Sequence, residues 1–142
     1  MKTSVHVIVS AILAALLYPV FKRHVLFIFA GGVLIDIDHY FVYAYKYKNF
    51  SLFDCYYHYI KNMQDPAQKE NLGILLIFHT TEFLFVMVVF SFYNAYALVF
   101  TIGLLVHYLL DLIYLYTVPK KFIVDHSLIH WICKNKLKVA EG

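Results

Sequence analysis

Asp36, Asp38 and His39 stand within the run Gly31-Gly32-Val33-Leu34-Ile35-Asp36-Ile37-Asp38-His39-Tyr40, whose other residues are glycine, aliphatic or tyrosine. Ionisable side chains at bilayer depth cost roughly 2.5–3.5 kcal/mol each on insertion scales. Three within four residues require a compensating partner, and a metal ion is the simplest one. His6, His79, Glu82, His107 and Asp111 are the further candidates. Asp36 and His39 are spaced i, i+3, as are His79 and Glu82, while His107 and Asp111 are i, i+4. Each pair therefore shares one face of a helix, and His6 adds a further imidazole. Asp38 points elsewhere in an ideal helix, unless the glycine pair or the helix end distorts it.

Facing helices that each offer an imidazole and a carboxylate are how carboxylate-bridged di-metal bundles build their centres. This donor set suits zinc first, with manganese or iron as alternatives, and the lack of thiolate argues against a structural zinc cage. Asp36, His39, His79, His107 and Asp111 are the expected ligands. His6 is an additional ligand or a partner of one. Asp38 is an additional ligand or a catalytic partner, and Glu82 is the candidate general base or bridging ligand. Three other readings compete. Any one buried His or Asp can simply be a satisfied hydrogen bond between helices. Haem would use facing imidazoles but not so many carboxylates. An ion or proton pathway would use both, but it should continue into the other half of the bilayer, where the later helices offer only Ser91, Thr101 and tyrosines. His58, His126 and His130 fall in interfacial stretches and read as solvated, with His126 within reach of the pocket mouth.

The elements that must position these groups belong to a membrane. The 142 residues suit a single domain spanning 1–142, 62% hydrophobic, 19% aromatic and only 15% charged, with a mean hydropathy of +0.68. Soluble domains sit near 45–50% apolar and about 25% charged. So short a chain could not hide this much apolar surface in water, so the bilayer is its expected solvent. A net charge of +3, scattered among membrane flanks, gives no footprint for nucleic acid. Cys55 and Cys133 form no CxxC or metal-knuckle spacing and read as free thiols. The apolar run from Val5 to Phe21 is long for a signal peptide, lacks a small-x-small cleavage site and meets Lys22-Arg23 directly. It is expected to be a retained helix.

Four transmembrane helices are expected, over residues 4–21, 25–45, 70–93 and 95–117, in an all-α integral membrane bundle with two short interfacial helices. Lys22, Arg23 and His24 make the first turn, and the Gly31-Gly32 pair invites close helix approach. Phe50, Phe53, Tyr56, Tyr57 and Ile60 recur at helical spacing in the polar connection, as expected of an aromatic helix lying in the interface. Asp65-Pro66 with Gln68 reads as a capped helix start, Asn94 as a minimal turn and Pro119 as a stop. The tail from His126 to Leu137 places Leu128, Trp131 and Ile132 against lysines, which suits a second interfacial helix. Lys2, Lys46, Lys48, Lys61, Lys69, Lys120 and Lys121 share one side, which the positive-inside rule makes cytoplasmic, together with both termini. Counted at about 1.5 Å per residue, every ionisable candidate falls in that same half of the bilayer.

At these residues the chain resembles the membrane-bound metal-dependent hydrolases, a family that includes bacterial inner-membrane proteins under damage-response control. His6 matches the family's early histidine. Leu34-Ile35-Asp36-Ile37-Asp38-His39 is similar to its Leu-Pro-Asp-Ile-Asp-His motif, with Ile35 in place of proline. Phe78-His79-Thr80 looks like the end of a His-Arg-Gly-x-Thr-His-Ser motif, and His107-Tyr108-Leu109-Leu110-Asp111 matches a His-x-x-x-Asp. Ile74 stands where the third motif has its first histidine, and Leu75-Leu76 where it has Arg-Gly. The resemblance implies an inner-membrane hydrolase with a divalent metal. Combined with the depth of the polar groups, it leads to an expected substrate: a phosphoester or lipid-like ester at the cytoplasmic leaflet, with the lipid bilayer as partner. The alternative expectation is a non-enzymatic membrane protein, either cation-handling or a family member whose polar cluster only fixes helix packing.

Overall fold

The computed structural model describes residues 2–64, 75–117 and 127–140. Among these residues the chain is helical throughout, with no strand. The helices are α1 (Thr3–Phe21), α2 (Leu26–Gly32), α3 (Ile37–Tyr47), α4 (Leu52–Gln64), α5 (Thr81–Ser91), α6 (Ala95–Thr117) and α7 (Leu128–Ala140). Two stretches, Thr3–Tyr47 and Ala95–Tyr114, are long and apolar enough to cross a membrane, and Thr81–Ser91 is apolar but shorter. The Asp65-Pro66 cap with Gln68, the start of the third expected helix, Ile74, Pro119 and His126 lie outside the described residues.

Two expected helices are not continuous. The one expected over 25–45 breaks after Gly32: Val33 leaves the helical region with φ −134 and ψ −49, Leu34–Asp36 form a single 3-10 turn, and α3 restarts at Ile37. The one expected to run to residue 93 enters its described part as non-helical chain, makes a 3-10 turn over Ile77–His79, and becomes α-helix only at Thr81. Thr80, extended at φ −89 and ψ 147, caps that helix by accepting the Phe83 amide on its hydroxyl at 3.2 Å. A hydroxyl at this position satisfies one of the amides that a helix start leaves orphaned. Elsewhere the expected bounds match closely. α1 turns through Lys22 (φ 50) into a 3-10 turn over Lys22–Val25, and α6 begins where Asn94 accepts the Tyr96 amide at 2.8 Å. Ser51 accepts the Asp54 amide at 3.2 Å to start α4. That helix lies on α3 through Tyr59, whose hydroxyl donates to the His39 carbonyl at 3.1 Å.

The packing centre is the contact of α2 with α6. A Cβ on Gly31 would stand 2.1 Å from the Phe100 carbonyl oxygen, and one on Gly103 would stand 2.4 Å from that of Ile28. The two backbones touch, which only glycine permits. Gly32 differs, since its Cβ would first meet the Ser10 hydroxyl, a side chain able to rotate. Around this contact the usual distribution is inverted. His6, Ser10, Asp38, His79, Thr80, Thr101 and His107 are buried, while Ile8, Ile12, Leu16 and Val20 form an exposed stripe along α1 at i, i+4 spacing. A small apolar cluster of Ala14, Val25, Ile28 and Val99 fills the end away from the polar groups. Overpacking a tight contact costs about 1–3 kcal/mol. Gly31→Ala and Gly103→Ala are therefore each expected to destabilise the fold by that order, read as a lowered thermal unfolding midpoint in detergent, whereas Leu105→Ala, on an exposed face, leaves the midpoint nearly unchanged.

Candidate metal centre

Four elements bring their polar groups to one place: the first turns of α1, the 3-10 turn and start of α3, the 3-10 turn before α5, and the middle of α6. Three overlapping groups offer atoms close enough to share a cation: His6, His107 and Asp111; Asp36, His79 and His107; Asp38, His39 and His79. These buried His and Asp side chains can hold a metal ion. Hydrogen-bond accounting resolves the three groups into one centre and its supports.

The centre lies between His79 and His107, whose Nε2 atoms face each other at 3.2 Å. His107 Nδ1 lies 3.0 Å from the Gly32 carbonyl oxygen. A carbonyl only accepts, so Nδ1 carries the proton and Nε2 of the neutral ring presents a lone pair. His79 Nδ1 lies 2.9 Å from Asp38 Oδ2, which fixes the same tautomer. With both rings neutral the two lone pairs face each other, whereas a second proton on either ring makes the contact an N–H···N hydrogen bond. Asp36 Oδ1 lies 3.5 Å from both Nε2 atoms, and Asp111 Oδ2 lies 3.1 Å from that of His107 and 4.0 Å from that of His79. With both rings neutral these acceptors would repel one another unless a positive charge, a proton or a cation, sat among them. Zinc–nitrogen and zinc–oxygen bonds of about 2.0–2.2 Å place tetrahedral neighbours roughly 3.3–3.6 Å apart, close to the 3.2 and 3.5 Å separations among His79, His107 and Asp36.

The other two groups orient this one. Asp38 takes His79 on one oxygen and His39 Nδ1, at 3.0 Å, on the other, and also accepts the Phe78 amide at 3.3 Å. His6 Nε2 lies 3.3 Å from Asp111 Oδ1, and its ring stacks on His107 at 4.0 Å. His6 Nδ1 is buried without a hydrogen-bond partner among the described residues. Such partners of a ligand's far atom fix ring orientation and raise ligand basicity. Exposure orders the site as well: His6, His79, His107 and Asp38 are buried, whereas Asp36, His39 and Asp111 are 25%, 30% and 33% exposed and face its opening. Neither cysteine belongs to it. Cys55 is buried within α4, its thiol pushed up by burial, and Cys133 is exposed on α7.

Asp38 enters the site because the break after Gly32 rotates α3 relative to α2, the distortion that its helical phase required. Glu82 does not enter. His79 precedes α5, so the two share no helical face, and Glu82 instead caps α7. Its carboxylate accepts the Ser127 hydroxyl at 2.7 Å and the Leu128 and Ile129 amides at 3.0 and 3.3 Å. A carboxylate at a helix N-terminus meets both the orphan amides and the positive end of the dipole. The sequence reading missed the Gly32 carbonyl, released because Asp36 N bonds Val33 O at 3.3 Å in the 3-10 turn. It also missed Thr80 as a cap, although a threonine with an acidic residue two positions on is a helix-start signal.

No family model, curated protein or solved structure matches the chain.

Asp38→Asn must turn an amide N–H₂ toward one of the two imidazoles. Supporting residues of this kind typically contribute 10–100-fold to metal affinity. A loss of that size is expected in chelator competition, with helix content unchanged by circular dichroism. Glu82→Gln is expected to leave metal affinity unchanged while speeding amide hydrogen exchange in the first turn of α7. Loss of metal in that variant would return Glu82 to the centre.

Proposed function

We propose that this chain is a four-span, metal-dependent membrane hydrolase acting on a phosphoester or lipid-like ester at the cytoplasmic leaflet of the inner membrane. The observation that carries this reading is the convergence of His79 and His107 Nε2, 3.2 Å apart, with Asp36 and Asp111 beside them. His79, His107, Asp36 and Asp111 would hold a divalent cation, zinc being favoured by imidazoles with carboxylates. When bound, it lowers the pKa of a water and polarises a phosphoryl or acyl oxygen. His79 and His107 hold the buried side, fixed by Asp38 and the Gly32 carbonyl. Asp36 and Asp111 hold the side that opens outward. His39, partly exposed and hydrogen bonded to Asp38, is placed to pass a proton between the opening and solvent. Hydrolysis puts the hydroxyl of water on phosphorus or the acyl carbon and its proton on the leaving oxygen.

Membrane embedding is supported by the inverted distribution, since buried imidazoles inside an apolar exterior have the bilayer as their natural solvent. α5 and its preceding turn supply the third span and the α1–α2 pair the first two. α4 and α7 lie along the interface, and the lysine bias puts both termini in the cytoplasm. The motif resemblance at His6, Asp36, Asp38, His39, His79, His107 and Asp111 favours hydrolysis over other metal chemistry. The competing reading takes the cluster as a proton-sharing device that only locks α1, α3 and α6 together, favoured by its His–Asp pairs already lying within ion-pair distance.

Elemental analysis of the detergent-purified protein separates the two. Near-stoichiometric zinc, manganese or iron is expected, lost in an Asp36→Ala/His107→Ala variant. Chelator-sensitive hydrolysis of phosphoester or lipid-ester probes is expected to be lost with it. Metal-free wild type after reconstitution, with the variant merely less stable, establishes the packing cluster instead.

A further inference from the structure

We infer that Tyr108 is a positioning residue for His79, tying the backbone on both sides of that histidine to the turn of α6 that carries His107. The inference rests on the metal-centre reading. His79 sits in a short non-helical passage whose own bonds among the described residues are His79 N to Leu76 O at 3.0 Å, Thr80 N to Ile77 O at 3.3 Å and the Thr80 hydroxyl to Ile77 O at 2.9 Å. A single 3-10 turn holds a side chain poorly. Two outside groups make up the difference. From α3, Asp38 grips the Phe78 amide and the His79 ring. From α6, the Tyr108 hydroxyl lies 2.9 Å from the Phe78 carbonyl and 3.0 Å from that of Thr80, so its one proton is shared between the carbonyls flanking His79.

Tyr108 follows His107 and precedes Asp111 by three residues. It therefore references His79 to the helix that bears two other donors. Its ring lies 6.2 Å from that of His79, centroid to centroid, so it supports the ligand and is not one itself. Without the hydroxyl, the Ile77–His79 turn keeps its hold on Asp38 but loses its tie to α6, and the 3.2 Å spacing of the two Nε2 atoms is free to open.

Tyr108→Phe keeps the ring and removes the hydroxyl. Cobalt(II) is the probe, titrated into detergent-purified wild type and variant while the visible d–d bands, helix content and thermal midpoint are followed. The expected result is 10–100-fold weaker cobalt binding with altered bands, at unchanged helix content and midpoint. Wild-type affinity and bands in Tyr108→Phe overturn the inference and leave the metal centre standing. Loss of helix content in the variant also overturns it, since the hydroxyl would then be holding the fold and not the turn. A wild type that takes no cobalt removes the metal-centre reading itself, and the inference with it.

Discussion

Backbone contact between α2 and α6 at Gly31 and Gly103 is the constraint from which the other distances follow. Side chains larger than hydrogen at these positions would separate the two helices, and the Gly32 carbonyl would no longer reach His107 Nδ1 at 3.0 Å. That one bond sets the tautomer of His107, directs its Nε2 at His79 and stations the ring against His6. The chemistry of the centre is thus anchored in a helix-packing contact that itself contains no chemistry.

The second dependency is the loss of α-helix between Gly32 and Ile37. Breaking an α-helix exposes carbonyls that must find other partners, and in an apolar surrounding an unpaired one costs about as much as a lost hydrogen bond. Here the freed Gly32 carbonyl takes a histidine. The same break rephases α3, so that Asp36 and Asp38, two residues apart, both reach the centre. The non-helical passage before α5 works alike: its exposed polar groups are taken by Asp38 and Tyr108, and the histidine within it is held as a consequence. Irregular backbone at membrane depth is tolerated where it is buried in protein and its polar groups are met.

Charge and burial then divide the labour within the cluster. Buried His79 and His107 each commit Nδ1 to an acceptor and turn Nε2 to the centre, while the partly exposed carboxylates Asp36 and Asp111 bring negative charge beside them. An assembly of this kind could hold a cation, which would relieve its own repulsions. It remains folded because glycine contact, aromatic packing of α4 on α3 and the Ala14–Val99 cluster hold the helices independently of the donors.

Composition alone determined that the chain is helical and apolar outside. The bounds of α1 and α6 were legible because local signals mark them: the basic turn at Lys22, Asn94 as a minimal turn, and unbroken apolar runs between. Residue type and spacing also identified His6, Asp36, His39, His79, His107 and Asp111 as one set, since polar groups in such runs have few alternatives to one another. The fates of Asp38 and Glu82 were decided only by the tertiary structure. Helical phase placed Asp38 outside the cluster and Glu82 within it, and two departures from helix reversed both. Those departures have only a partial local cause: the Gly31-Gly32 pair permits the first break, but Ile35 is no helix breaker and the passage before Thr80 is largely apolar. They persist because distant groups, His107 for one and Tyr108 with Asp38 for the other, satisfy the backbone that the breaks release. A sequence carries these partners in plain sight but does not say which will meet.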